Sequence, residues 1–235
     1  MSKPFQLVLL LISKIHPFLG YCSLYWGVHA KRELSDCANS LALELLKGDY
    51  GQASSKLLVA RVQGLDIRNF STYSRFSGLH CTSFFGIIEV VAGLIEMGCY
   101  DIDGGDFSDC TPLAWAAYNG HGEVVKILLE QEEVSLDKPD NSGGTPLVHA
   151  ALTRQEEVVK ILLEREWVNP DKRDSIGKTP LSHAASSGNE GVVKILLELE
   201  DVNPHQPGGF LQGPLAIATI FCHGGSLKAA IPSTI

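Results

Sequence analysis

The sequence predicts an all-α protein, a solenoid of helix-turn-helix units with hairpin-like loops, preceded by a helical segment. Three observations predict it. A 34-residue period runs through independent columns: Leu79, Leu113, Leu147, Leu181 and Leu215; Val91, Val125, Val159 and Val193; Val134, Val168 and Val202. Each unit carries two apolar stripes at helical spacing, a short one rich in alanine and a longer one rich in valine and leucine. Turn-forming residues recur at one place in each unit. A fixed period of this length marks a repeat architecture, in which a unit buries its apolar face only against its neighbours.

One unit shows how the elements arise. Asp140-Asn141-Ser142-Gly143-Gly144 is turn chemistry, because glycine reaches positive φ and Asn and Asp bond their own backbone. Thr145 then caps a helix and Pro146 takes its first position, where a missing N–H costs nothing. Leu147, Ala150 and Ala151 form the inner face of this short helix, and the small alanines let the next unit approach closely. A second helix over 157–164 buries Val158, Val159, Ile161, Leu162 and Leu163 between units. Its outer face carries Glu156, Lys160 and Glu164, with Lys126–Glu130 and Glu190, Lys194, Glu198 as counterparts. Such i, i+4 pairs add about 0.2–0.5 kcal/mol each and read as a solvated face. Helix pairs are therefore expected near 111–131, 145–165 and 179–199. The predicted division is a helical segment over 1–70, about four repeats over 71–212, and a degenerate or truncated repeat over 213–235.

The strings TPLAWAAYNGHGEVVKILLE, TPLVHAALTRQEEVVKILLE and TPLSHAASSGNEGVVKILLE, starting at 111, 145 and 179, resemble the ankyrin repeat. Tetratricopeptide repeats share the period but open on a Trp-x-x-Leu-Gly-x-x-Tyr pattern that is missing here. The ankyrin unit is usually one residue shorter, and the extra residue falls in the connection after the second helix. There are departures. The histidine after Thr-Pro-Leu is present only as His80, and is replaced by Ala114, Val148 and Ser182. The glycine between the helices, Gly120 and Gly188, becomes Arg154, which predicts a less relaxed turn. The first repeat, 76–102, is degenerate, and the last starts with Gly213-Pro214-Leu215 but has no second helix. Ahead of the array, HPFLGYCSLYWGVHAKREL at 16–34 and then SLALELL look like the segment before the repeats of fungal NACHT–ankyrin receptors, which are NLR-like signalling ATPases. Their nucleotide switch needs a G-x-x-x-x-G-K-S/T loop, which this chain does not contain, so the ATPase does not carry over.

Composition narrows the function. With 45% hydrophobic and 20% charged residues, disorder is not the default. Residues 103–205 carry nine Lys+Arg against nineteen Asp+Glu, a surface that repels phosphate backbones and argues against nucleic acid. The apolar run at 5–12 is far shorter than the ~20 residues of a membrane span and has no small-x-small cleavage site behind it. Six scattered cysteines with no C-x-x-C fit free thiols in a reducing, cytoplasmic compartment. No G-x-S-x-G, H-E-x-x-H or G-x-G-x-x-G occurs, so catalysis is not expected. His149 and His183 lie one repeat apart, with Trp115 in the same column. They read as occupants of one inner-helix slot rather than as a metal-binding ladder, since packed helices lie about 8–10 Å apart. Neither metal nor cofactor is expected.

The expected function is non-catalytic binding of a protein, as the recognition part of a NACHT–ankyrin-type sensor. The alternative is a truncated product of such a receptor with no role of its own. The resemblance places partner contacts on the hairpin tips and the exposed positions of the first helices. The tips are Phe107, Ser108 and Cys110; Ser142; Ser175, Ile176 and Lys178. The helix positions are Phe84 and Phe85; Tyr118 and Asn119; Leu152 and Thr153; Ser186 and Ser187. Phe84 and Phe85 either meet the partner or are covered by residues 15–60 of the same chain.

Overall fold

A computed structural model describes residues 75–98 and 100–204. Expectations for the segment 1–70 and the tail 213–235 lie outside the described residues. Within them run eight helices and no strand: α1 (Gly78–Phe85), α2 (Ile88–Glu96), α3 (Pro112–Asn119), α4 (Gly122–Leu129), α5 (Pro146–Leu152), α6 (Glu156–Leu163), α7 (Pro180–Ser186) and α8 (Glu190–Leu197). The first helices of the units, α1, α3, α5 and α7, pack in one row, and the second helices, α2, α4, α6 and α8, in another. This is the all-α repeat stack that the period predicts.

The helix starts follow from the Thr-Pro pairs. The hydroxyls of Thr111, Thr145 and Thr179 accept from the N–H of Ala114, Val148 and Ser182, with proline at the first turn each time. The degenerate first repeat solves the same problem differently: Ser77 caps α1, and the His80 side chain bonds back to the Ser77 N–H. The core is one continuous row. Leu113, Leu147 and Leu181 from the first helices, Leu128, Leu162 and Leu196 from the second, and the alanine pairs of α3, α5 and α7 are at most 1% exposed.

The turn between the helices needs the left-handed region in every repeat. Gly86, Gly120 and Gly188 sit there at φ 70°, 77° and 65°, and so does Arg154 at 65°. A side chain in this region costs roughly 1–2 kcal/mol. Arg154 offsets part of that through Nε to Asn189 Oδ1 (2.5 Å) and Nη2 to Ser187 O (3.0 Å). The turn expected to be less relaxed without glycine thus puts an arginine in the left-handed region, and a bridge to the next repeat holds it.

A second left-handed column lies at the hairpin: Asp109, Gly143 and Gly177, at φ 56°, 80° and 81°. Gly177→Val is therefore expected to cost about 1–3 kcal/mol in backbone strain. Gly104→Val is expected to cost less, since Gly104 has no positive φ and its repeat counterparts are Lys138 and Lys172. Thermal melts of the two variants check this; equal shifts would contradict the register.

Two further ladders tie repeats together at the base of the hairpins. The carboxylates of Asp103, Asp137 and Asp171 accept from the N–H of Ser135, Asn169 and Asn203 in the following unit, at 3.2, 2.8 and 3.2 Å. Lys138 Nζ donates to Asp103 O, and Lys172 Nζ to Asp137 O. Burial pushes the Asp137 carboxyl above its ordinary value, against the Asn169 hydrogen bond and the Lys172 charge. One expectation is corrected on the outer face. Lys126 pairs with Glu123 at 2.7 Å, three residues earlier, rather than with Glu130, the two being acidic neighbours of similar reach on one helix face.

Candidate functional site

A repeated device fixes the hairpin tips to the first helices. In three successive units an aspartate at the hairpin, Asp106, Asp140 or Asp174, reaches the ring nine residues on. Trp115 Nε1 donates to Asp106 Oδ2 at 3.0 Å, and His149 and His183 Nε2 meet Asp140 and Asp174 Oδ2 at 3.0 and 2.7 Å. The other carboxylate oxygen accepts two backbone N–H groups of the turn: Ser108 and Cys110, Ser142 and Gly144, or Ile176 and Lys178. One side chain thus shapes the hairpin and locks it onto its helix. His149 and His183 occupy equivalent slots, each paired within its own unit.

The electrostatics of the first two pairs differ. Burial raises the Asp106 carboxyl above its ordinary value, and hydrogen bonds from Ser108, Trp115 and Cys110 only partly counter it. At Asp140 burial acts the same way. There the hydrogen bonds from His149, Ser142 and Gly144 outweigh it and hold the carboxyl well below the usual range. Indole cannot carry a proton's charge, whereas imidazole can.

The tips also bond along the array. Asn141 N–H donates to Ser108 O and Ser175 N–H to Ser142 O, both at 2.9 Å, and Ser175 Oγ adds a bond to Ser142 O at 2.6 Å. Phe107 is half-buried, and its carbonyl accepts from Asn141 Nδ2. Ser142, Ser175 and Ile176 are exposed, while Ser108 and Lys178 are half-buried. On the helices, Tyr118 and Leu152 are each 40% exposed. Thr153 Oγ1 donates to Tyr118 O (2.7 Å), Asn119 Nδ2 to Trp115 O (2.9 Å) and Ser186 Oγ to Ser182 O (2.8 Å). Ser187 is half-buried and offers its carbonyl to Arg154.

Aromatic rings form a row across the first repeats. Phe84 lies edge-on to Phe85 and to Trp115 at 5.0 and 5.4 Å, Trp115 to Tyr118 at 6.1 Å, and Tyr118 to His149 at 6.1 Å. Phe84 and Phe85 are half-buried in this row. Residues 15–60, the alternative cover for them, lie outside the described residues.

Cys110 is the residue that the structure places differently. It was expected at a tip surface, but it is only 8% exposed. Asp109 in the left-handed region turns the chain just before it, and its thiol points toward the next repeat. Cys110 Sγ lies 3.6 Å from Asp140 Oδ2 and 3.9 Å from His149 Nε2, so these three residues could hold a metal ion. Burial pushes the thiol up, and the Asp106 and Asp140 carboxylates push it further, so it is no nucleophile at neutral pH. Cys81, the other cysteine among the described residues, is also buried.

Sequence reasoning missed two features. The aspartate–ring pairs were legible as an Asp nine residues before Trp115, His149 and His183, repeating in step. Trp167, 83% exposed after α6, had no signal, because its repeat neighbours in the connection are not aromatic.

No curated protein matches the chain. A family model described as ankyrin repeats (three copies) matches residues 37–140 and 131–207, which is more than half of the sequence. Ankyrin repeats generally mediate protein–protein interaction and are typically non-catalytic. No helix among the described residues is long and apolar enough to cross a membrane. The two stacked rows of helices, the Thr-Pro caps and this match agree: the chain belongs to the ankyrin-repeat family.

Proposed function

We propose that the chain is a non-catalytic protein-binding module that takes its partner on the face of hairpin tips and first helices. One observation carries this reading. Tyr118, Leu152 and Ile176, exposed by 40%, 40% and 55%, present apolar surface on that face in successive repeats. The backbone beneath them is fixed by the aspartate–ring bonds, so little conformational freedom is left to lose on binding. Tyr118 is further braced by Trp115 and His149, as suits an aromatic anchor. The acidic balance of the array favours a protein partner over nucleic acid.

In the same reading the array over 71–212 is the recognition part of a NACHT–ankyrin-type sensor inside the cell, behind a helical segment over 1–70 and ahead of a degenerate repeat over 213–235. The strings at 16–34 and 40–46 support this. The test uses the full chain and a captured protein partner. Changing Phe107 and Tyr118 together to Ala removes aromatic anchors worth about 2 kcal/mol or more. Affinity is expected to fall about thirtyfold or more, since about 1.4 kcal/mol is one decade. The melting temperature is expected to stay nearly constant. Early melting with the partner still bound would show that these residues belong to the core.

A further inference from the structure

The donor atoms of Cys110, Asp140 and His149 converge between two adjacent repeats. They come from two hairpins and one helix, so no sequence spacing announces them. In space Asp140 Oδ2 and His149 Nε2 are 3.0 Å apart, and Cys110 Sγ lies 3.6 and 3.9 Å from them. A tetrahedral zinc ion holds sulfur at about 2.3 Å and nitrogen or oxygen at about 2.0–2.1 Å. Those bond lengths set ligand-to-ligand distances of about 3.5 Å from sulfur to either partner and about 3.3 Å from nitrogen to oxygen. Each observed edge lies within a few tenths of an ångström of that triangle.

The supporting shell is also in place. Asp140 Oδ1 is held by Ser142 N, Ser142 Oγ and Gly144 N at 2.8, 2.7 and 2.7 Å, which orients Oδ2 toward the thiol. The side chains of Asp140 and His149 are 8% and 17% exposed, so the cluster is sheltered but not sealed from solvent. The neighbouring units act as internal comparisons. Gly144 stands in the Cys110 position beside Asp174 and His183, leaving two donors, and in the first unit the indole of Trp115 cannot ligate. Among the described residues only the central unit assembles three.

We propose that Cys110, Asp140 and His149 form a zinc site that clamps two adjacent repeats together, with a solvent molecule in the fourth position. A thiolate, an imidazole and a carboxylate together suit Zn²⁺ among common ions. Binding releases the thiol proton to solvent. The neutral imidazole carries its own proton on Nδ1 and presents Nε2 to the ion. One thiolate and one carboxylate then balance the two positive charges, which makes the site neutral.

The test is a titration of the reduced, metal-free full chain with Co²⁺, a spectroscopic stand-in for Zn²⁺. The expected result is a near-ultraviolet sulfur-to-cobalt charge-transfer band with visible bands of four-coordinate cobalt, all abolished by added Zn²⁺. Cys110→Ser loses the charge-transfer band, with folding confirmed by circular dichroism. His149→Gln weakens cobalt binding by at least the roughly tenfold that loss of a supporting group costs a metal site, and it reads the site independently if Cys110→Ser fails to fold. Cys81→Ser and His183→Gln leave the titration unchanged. No charge-transfer band, or a band that survives in folded Cys110→Ser or is undiminished in His149→Gln, overturns the proposal.

Discussion

Leu162→Ala is expected to unfold the array at a cost of about 2–5 kcal/mol, the range for deleting a buried leucine side chain. Leu162 is fully buried in α6, and α6 packs against both α4 and α8. A cavity there removes contacts from two repeat junctions at once, and repeats depend on their neighbours for stability. The loss should therefore spread both ways from the centre, visible as faster amide exchange in α4 and α8 as well as in α6. An unchanged urea or thermal transition would show that this face of α6 is not the one holding the stack.

Acidification should destabilise the first repeat through His80. Its ring is 2% exposed, with Nδ1 receiving the Ser77 N–H at 3.2 Å and Nε2 against Gly104 O at 3.0 Å. Nδ1 facing an N–H donor has no room for a proton of its own. Burial lowers the His80 pKa from 6.5 to about 4, against a smaller raising effect of the Gly104 carbonyl. The unfolded chain thus binds a proton between pH 6.5 and 4 that the folded chain refuses. Stability contributed by the neutral ring is complete above pH 6.5 and falls as pH drops toward 4. At about 1.4 kcal/mol per pH unit, the loss across that window approaches roughly 3 kcal/mol. The raised carboxyls of Asp106 and Asp137 work in the opposite sense, because their ionised forms are the disfavoured ones and protonation relieves them. The comparison is therefore wild type against His80→Gln. The variant is expected to be less stable at pH 7 but to lose less between pH 7 and 4.5. Parallel slopes would contradict the assignment.

The fold was readable because its determinants are local and repeated. Threonine at a cap and proline behind it specify a helix start whatever surrounds them, and valine and leucine columns at one period place the buried faces. The strain at Arg154 was readable for the same reason, since Gly120 and Gly188 at equivalent positions define what that position demands. What could not be read depends on where a side chain points after a turn. Cys110 sits one residue before a helix cap, and the left-handed step at Asp109 decides that it faces the next repeat rather than solvent. The Lys126 pairing likewise depends on a choice between two neighbours of similar reach, Glu123 and Glu130. The aspartate–ring pairs occupy an intermediate place: their spacing is in the sequence, but the bond spans a hairpin whose shape the aspartate itself helps to set.

The most direct test of the central claim compares two parts of the surface with one captured partner, by titration calorimetry on the full chain. The Phe107→Ala, Tyr118→Ala variant changes the face of tips and first helices. Trp167→Ala removes a larger and more exposed aromatic, 83% exposed in the connection after α6. The account predicts that the double variant loses about thirtyfold or more in affinity with its melting temperature preserved, while Trp167→Ala binds as the wild type does. Binding that is lost in Trp167→Ala and retained in the double variant would contradict it, and would move the partner to the side of the second helices.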